Sequence, residues 1–216
     1  MTSRWGAMSG VAFFLLWAPM GLVVLQAPDL GSSTEIHDFY VKHGDLLEVV
    51  ALFVSVGFLF FLFFLGTLVE ELRRAEPAGV LTWVALASAL MFMISLNIAV
   101  GLVATAKLLS ETSSPDTLHG VHAAAFVIAA PAAAAGTAFF AAIAAVSFRA
   151  AAFPRWLAWA AVIGALANVG ALGGVVSLTG PLNAGNGIVG GPAVPVVAWV
   201  TWILLASLHW LRKPSF

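Results

Sequence analysis

The stretch LLEVVALFVSVGFLFFLFFLGTLV, Leu46 to Val69, decides the fold class of this chain. Its twenty-four residues carry a single charge, Glu48, near the start. About twenty apolar residues in helical form cross the hydrocarbon layer of a bilayer. Barrel strands alternate in polarity over about ten residues, and this run does not alternate. It therefore reads as a membrane-spanning helix.

Five further runs of this kind lie at 6–26, 79–105, 121–148, 156–178 and 193–211. Together with 46–69 they predict an all-α fold, a six-transmembrane-helix bundle forming one domain over 1–216. Composition agrees. The chain is 62% hydrophobic and 9% charged, against about 45–50% and 25% in soluble domains. The first run follows Arg4 as a signal peptide would, but Leu25-Gln26-Ala27 is a poor cleavage site, so it is kept as a helix. The chain has no cysteine, which excludes disulfides, thiolate catalysis and cysteine-held clusters. A net charge of −1 with scattered basic residues leaves no footprint for a nucleic-acid partner.

Basic residues in the short connections set the expected orientation. Arg4, Arg73, Arg74, Arg149, Arg155, Arg212 and Lys213 fall on one side of a six-helix arrangement, and only Lys42 and Lys107 on the other. This predicts a multi-pass protein of the cell membrane with both termini cytoplasmic. Pro19 and Pro131 lie inside spanning runs, where neighbouring helices can compensate the lost backbone bond. Ala132 with Gly136, Ala167 with Ala171 and Gly170 with Gly174 have the spacing at which helices pack closely in lipid, within the bundle or between copies.

The polar residues concentrate before the second run, in EIHDFYVKHGDLLEVV, Glu35 to Val50. Ser32 and Glu35 are spaced as a capping box. Ile36, Phe39, Tyr40 and His43 share one helical face, whereas Glu35, Asp38, Lys42 and Asp45 share the opposite one. This predicts a short amphipathic helix on the extracytoplasmic surface, ended by Gly44, with Asp45 capping the next helix and Glu48 in its first turn. Glu48 and His43 are left over as functional candidates at the interface.

A second polar segment runs from Ser113 to His122. Ser114 as cap, Pro115 at the first helical position and Asp116 in the first turn mark a helix start. His119 and His122, three apart, project from one face at the level of His43, Asp45 and Glu48. Two such histidines with a carboxylate from another helix can hold a divalent metal or relay a proton. The plainer reading is that they are amphipathic interface residues bonded to water and headgroups. Asn97 and Asn168 are the deepest amides; a buried amide bonds across to a neighbouring helix, and both are candidate floor residues of an outer cavity, with Tyr40 and Asp45 in its wall. Lys107 reads as snorkelling to the surface, and His209 and Trp210 as interfacial anchors. Gly185-Asn186-Gly187-Ile188-Val189-Gly190 matches G-x-G-x-x-G but lacks the strand and βαβ unit of a dinucleotide site. The charge-free segment Thr179–Pro192 reads as a flexible, apolar, lid-like loop, with a dip into the membrane interface as one option.

The segment Phe153-Pro154-Arg155-Trp156-Leu157-Ala158-Trp159, with the Glu35–Val50 stretch, resembles a group of bacterial six-helix membrane proteins known only as a domain of unknown function. The resemblance spans most of the chain and implies a six-helix fold. It supplies no activity, cofactor or catalytic residue, and the alanine-rich fourth helix and the His119/His122 pair are not part of it.

These residues favour a membrane-embedded enzyme or binding protein for an isoprenoid- or lipid-like molecule that enters from the bilayer. Glu48 is the expected general acid or base, assisted by His43, His119 and His122 as proton partners or metal ligands. Three other readings stand beside it. A transporter needs an ionisable path, and the cytoplasmic halves of the helices are nearly free of polar groups. A structural partner of a membrane complex needs no site. A haem bundle would need His43 and His122 to face one another.

Overall fold

The computed structural model describes residues 2–212 and is helical nearly throughout. Six helices are long and apolar enough to cross a membrane. They are α1 (Thr2–Val24), α2 (Ser33–Ala75), α3 (Val80–Leu109), α4 (Pro115–Ala150), α5 (Arg155–Ala171), continued by a 3-10 turn at Leu172–Gly174, and α6 (Ala193–Arg212). The chain is thus a multi-pass membrane protein with an all-α, six-helix bundle. Lys213, counted above among the basic residues of one end, lies outside the described residues.

The helices form a closed ring in chain order. α1 packs on α2 and α6, α3 on α2 and α4, and α5 on α4 and α6. α2 also reaches α4 directly. Two expected starts are present: Ser32 accepts a hydrogen bond from the Glu35 N–H, and Ser114 caps α4 ahead of Pro115.

Gly44 does not end a helix, and among the described residues the expected surface helix is continuous with the second span. Residues 33–75 form one rod of 43 residues, about 64 Å long at 1.5 Å per residue. The buried stripe explains why. Ile36, Tyr40, Gly44, Leu47, Val50, Val54, Gly57, Phe61, Phe64, Leu68 and Leu72 follow each other at helical spacing with no change of phase. Gly44 is part of that stripe: a Cβ there would meet the Lys107 side chain. Its missing side chain is used for close packing, which overrides a propensity cost of about 1 kcal/mol. Asp45 is accordingly an exposed mid-helix residue and caps nothing. α5 ends at Ala171, short of the expected Leu178, in a glycine-rich turn containing Gly173 and Gly174.

Side-chain pairs fix the relative heights of the helices. Trp17 Nε1 donates to the Val54 carbonyl, Phe13 lies against Phe61, and Gly6 lies against Thr67. Counted one for one along antiparallel helices, the end of α1 falls beside Glu48, and Arg4 beside Glu70. Between Glu48 and Glu70 α2 carries no charge. That interval is about 32 Å of helix, close to the ~30 Å hydrocarbon thickness. The first turns of α2 and α4 therefore stand beyond the slab. With connections 25–32 and 175–192 they form a small cap at one end; the arginines gather at the other.

The axis of the ring is filled by aromatic rings towards the arginine end. Phe92 and Phe139 each stack on Trp199, at centroid distances of 4.5 and 4.2 Å. Phe140, Phe61 and Trp202 close around them.

Candidate functional site

Between this stack and the cap lies an apolar cavity of about 50 Å³. Five helices or their roots wall it: Trp17 and Met20 of α1, Phe39 of α2, Leu96 and Val100 of α3, Ala125 and Ala129 of α4, and Val196 of α6. A smaller void sharing Leu96, Ala129, Pro192 and Val196 extends it towards Ala171 and Gly190.

Two of the cavity's aromatic walls support a buried histidine. The His122 ring lies 4.5 Å from Phe126 and 6.2 Å from Phe39, centroid to centroid. His122 is fully buried. The Tyr40 hydroxyl lies 2.9 Å from His122 Nδ1. Nε2 has no hydrogen bond of acceptable geometry, although the Pro28 carbonyl lies against the ring. This arrangement suits a neutral imidazole in which Nδ1 accepts from Tyr40 and Nε2 carries the hydrogen. A hydroxyl bonded to an imidazole can pass a proton between its members.

His119 has a different task. Its Nε2 lies 2.7 Å from the Leu30 carbonyl, which can only accept, so the histidine donates. The Leu30 N–H in turn donates to the Leu178 carbonyl. His119 thus holds connection 25–32 down at Leu30, one turn from His122 on α4, and through Leu30 it is tied to connection 175–192.

The structure separates Glu48 from these histidines. Glu48 bonds Lys107 of α3 at 2.6 Å and is half exposed. Its surroundings are the rim of the slab and not an apolar pocket, and Lys107 is held there by the carboxylate. Asp45 faces solvent on the same flank. His43 is half-buried and rests its ring on Phe39. Among the described residues no three histidine, aspartate or glutamate side chains gather as a metal-binding set.

The two amides also behave otherwise than expected. Asn97 Nδ2 donates to Met93 O, and Asn168 Nδ2 to Gly164 O, each within its own helix rather than across to another. Asn168 is fully buried against Gly136, with Oδ1 unpartnered. Neither amide lines the cavity. Of the residues singled out in the sequence, Tyr40 and His122 are the pair brought together behind the cavity's roof, with Phe39 and Phe126 between them and its space.

Asn183 was missed by the sequence reading. It is fully buried and organises connection 175–192: Nδ2 donates to Gly180 O and Asn186 Oδ1, and Oδ1 accepts from the N–H groups of Gly185 and Asn186. The signal was present, since Asn in a glycine-rich segment bonds its own backbone two or three residues on. The expected lid is thus a compact, internally bonded loop. Comparison of the chain with protein-family models, with curated proteins and with solved structures finds no match to any of them.

Proposed function

We propose that this protein takes a slender, uncharged, lipid-like molecule from the bilayer into its axial cavity and works on it by acid/base chemistry through Tyr40 and His122. The observation that carries this reading is the cavity itself, wholly apolar and roofed by aromatic rings that rest on a buried hydroxyl–imidazole pair. A cavity of about 150 Å³ accepts a benzene ring. A volume of about 50 Å³ is a third of that, room for a few methylene groups at one end of a chain, so a longer hydrocarbon enters only as the walls part, and an uncharged wall favours a ligand without phosphate or carboxylate.

In this reading the acid/base role expected of Glu48 passes to Tyr40 and His122, because Glu48 is engaged with Lys107 at the rim. The cap faces out of the cell and both termini face the cytoplasm, as the arginine distribution supports. The resemblance at Phe153–Trp159 supports a bacterial cell membrane as the setting. A neutral phenol and a neutral imidazole are too weakly acidic to protonate an alkene, so the available groups fit proton transfer at a hydroxyl or beside a carbonyl of the ligand, with aromatic walls around its chain.

A second reading, a non-catalytic partner of a membrane complex, is favoured by the bond His119 makes to Leu30, which is structural.

Energy transfer from the tryptophans to a linear conjugated polyene alcohol tests the cavity. Transfer is expected in the purified full chain, and loss of it in Ala129→Leu and Ala125→Leu, which fill the cavity from successive turns of α4. Equal transfer in filled variants that retain their helical circular dichroism would place the ligand elsewhere and sink the proposal.

A further inference from the structure

Connection 175–192 has an inverted polarity. Of its two asparagines, Asn183 is fully buried and Asn186, though exposed, is bonded to it, whereas Ile188 is 76% and Val176 69% exposed. Val175 and Leu178 are also exposed, as is Leu25 from the adjoining connection. Part of the backbone turns inward as well. The N–H groups of Val189 and Gly190 donate to Pro181 O, that of Gly191 to Gly187 O, and those of Gly185 and Asn186 to Asn183 Oδ1. The chain carries no Asp, Glu, Lys or Arg between Arg155 and Arg212.

A loop built for water shows its amides and hides its isoleucines. Lipid demands the reverse, because backbone groups without partners are prohibitive in hydrocarbon. The height of the loop points the same way. A Cβ on Gly174 would lie 3.1 Å from Ala130 of α4, and Gly190 O also abuts Gly174, so the loop starts and folds back at the level where α5 ends. α1 ends at the same boundary, beside Glu48, and Leu30 beyond it bonds Leu178.

We infer that connection 175–192 is a membrane-seated surface whose partner is the lipid bilayer, with Val176, Leu178 and Ile188 immersed at the boundary between headgroups and acyl chains. The cap is therefore two-sided. The exposed face of α2, with Glu35, Asp38 and Lys42, meets water, whereas the α5–α6 side leans on lipid. Because Pro192 and Gly190 also line the cavity and its extension, the roots of this surface reach the cavity from the lipid side.

The absence of cysteine permits a direct test. Ile188→Cys and Val176→Cys are spin-labelled in the full chain in phosphatidylcholine vesicles, with Asp38→Cys and Leu59→Cys as water and lipid standards. Collision with oxygen and with a water-soluble nickel complex is then compared. The expected result is the behaviour of position 59: strong oxygen and weak nickel collision at both sites. Nickel collision like that of position 38 would place the loop in water and overturn the inference. Weak collision with both probes would mean a protein surface covers the loop, and would overturn it equally. The readout is of depth alone, so its failure is distinct from failure of polyene binding.

Discussion

Gly136 of α4 and Asn168 of α5 meet with no space between them: a Cβ on Gly136 would lie 2.0 Å from Asn168 Oδ1. The contact sits beside Phe92, whose ring carries one side of the Trp199 stack. Helix association in lipid depends on close packing and not on expulsion of water, so this approach is a principal joint between α4 and α5.

Gly136→Ala is expected to destabilise the protein by about 1–3 kcal/mol, the usual range for overpacking. Asn168→Ala should make room for the new methyl group and recover most of that loss. Thermal unfolding of the two single variants and the double variant, in detergent, measures the non-additivity; simple addition would show that the two residues do not bear on each other.

Two glycines of α2 should respond in opposite directions. At Gly44 a Cβ would meet the Lys107 Cε at 2.9 Å, the far end of a flexible side chain that can move aside. Gly44→Ala should therefore be neutral or raise the melting temperature, since helix propensity gains up to about 1 kcal/mol. At Gly57 the obstacle is the buried Trp17 ring, 2.6 Å away and bonded to Val54. Gly57→Ala should lower the melting temperature clearly.

Removing the Tyr40 hydroxyl leaves His122 Nδ1 buried without a donor. Tyr40→Phe should cost about 1–3 kcal/mol. It should also abolish any acid/base turnover of a bound polyene while energy transfer to that polyene persists. Retention of turnover would remove Tyr40 from the chemistry.

Glu48→Gln should leave polyene binding unchanged, because Glu48 does not line the cavity. Its small effect on stability should disappear at high salt, as for other exposed ion pairs. A loss of binding in this variant would restore Glu48 to the site.

The six spans and the starts of α2 and α4 were legible because they are written locally, in runs of apolar residues and in Ser32, Ser114 and Pro115. The continuity of α2 was also present in its buried stripe, but Gly44 looked like punctuation. Only the Lys107 side chain against it shows why a glycine stands there. The site was legible in fragments. Tyr40 and His122 both stood out, yet their partnership joins positions 82 apart, and His119 meets Leu30 across 89. Residue type predicts what a histidine can bond, and only the folded ring selects its partner. Asn97 and Asn168 turned to their own helices because an i−4 carbonyl is always within reach of a short amide side chain.

The length of α2 has a mechanical consequence. One unbroken rod carries Tyr40 in the cap, the Trp17 contact at mid-span, and Leu72 at the arginine end. α1 grips this rod at several heights, from Val54 through Gly57 and Phe61 to Thr67. The cap that carries Tyr40 and the end that carries Arg73 and Arg74 are therefore one piece of helix, and neither can shift along its axis without the other.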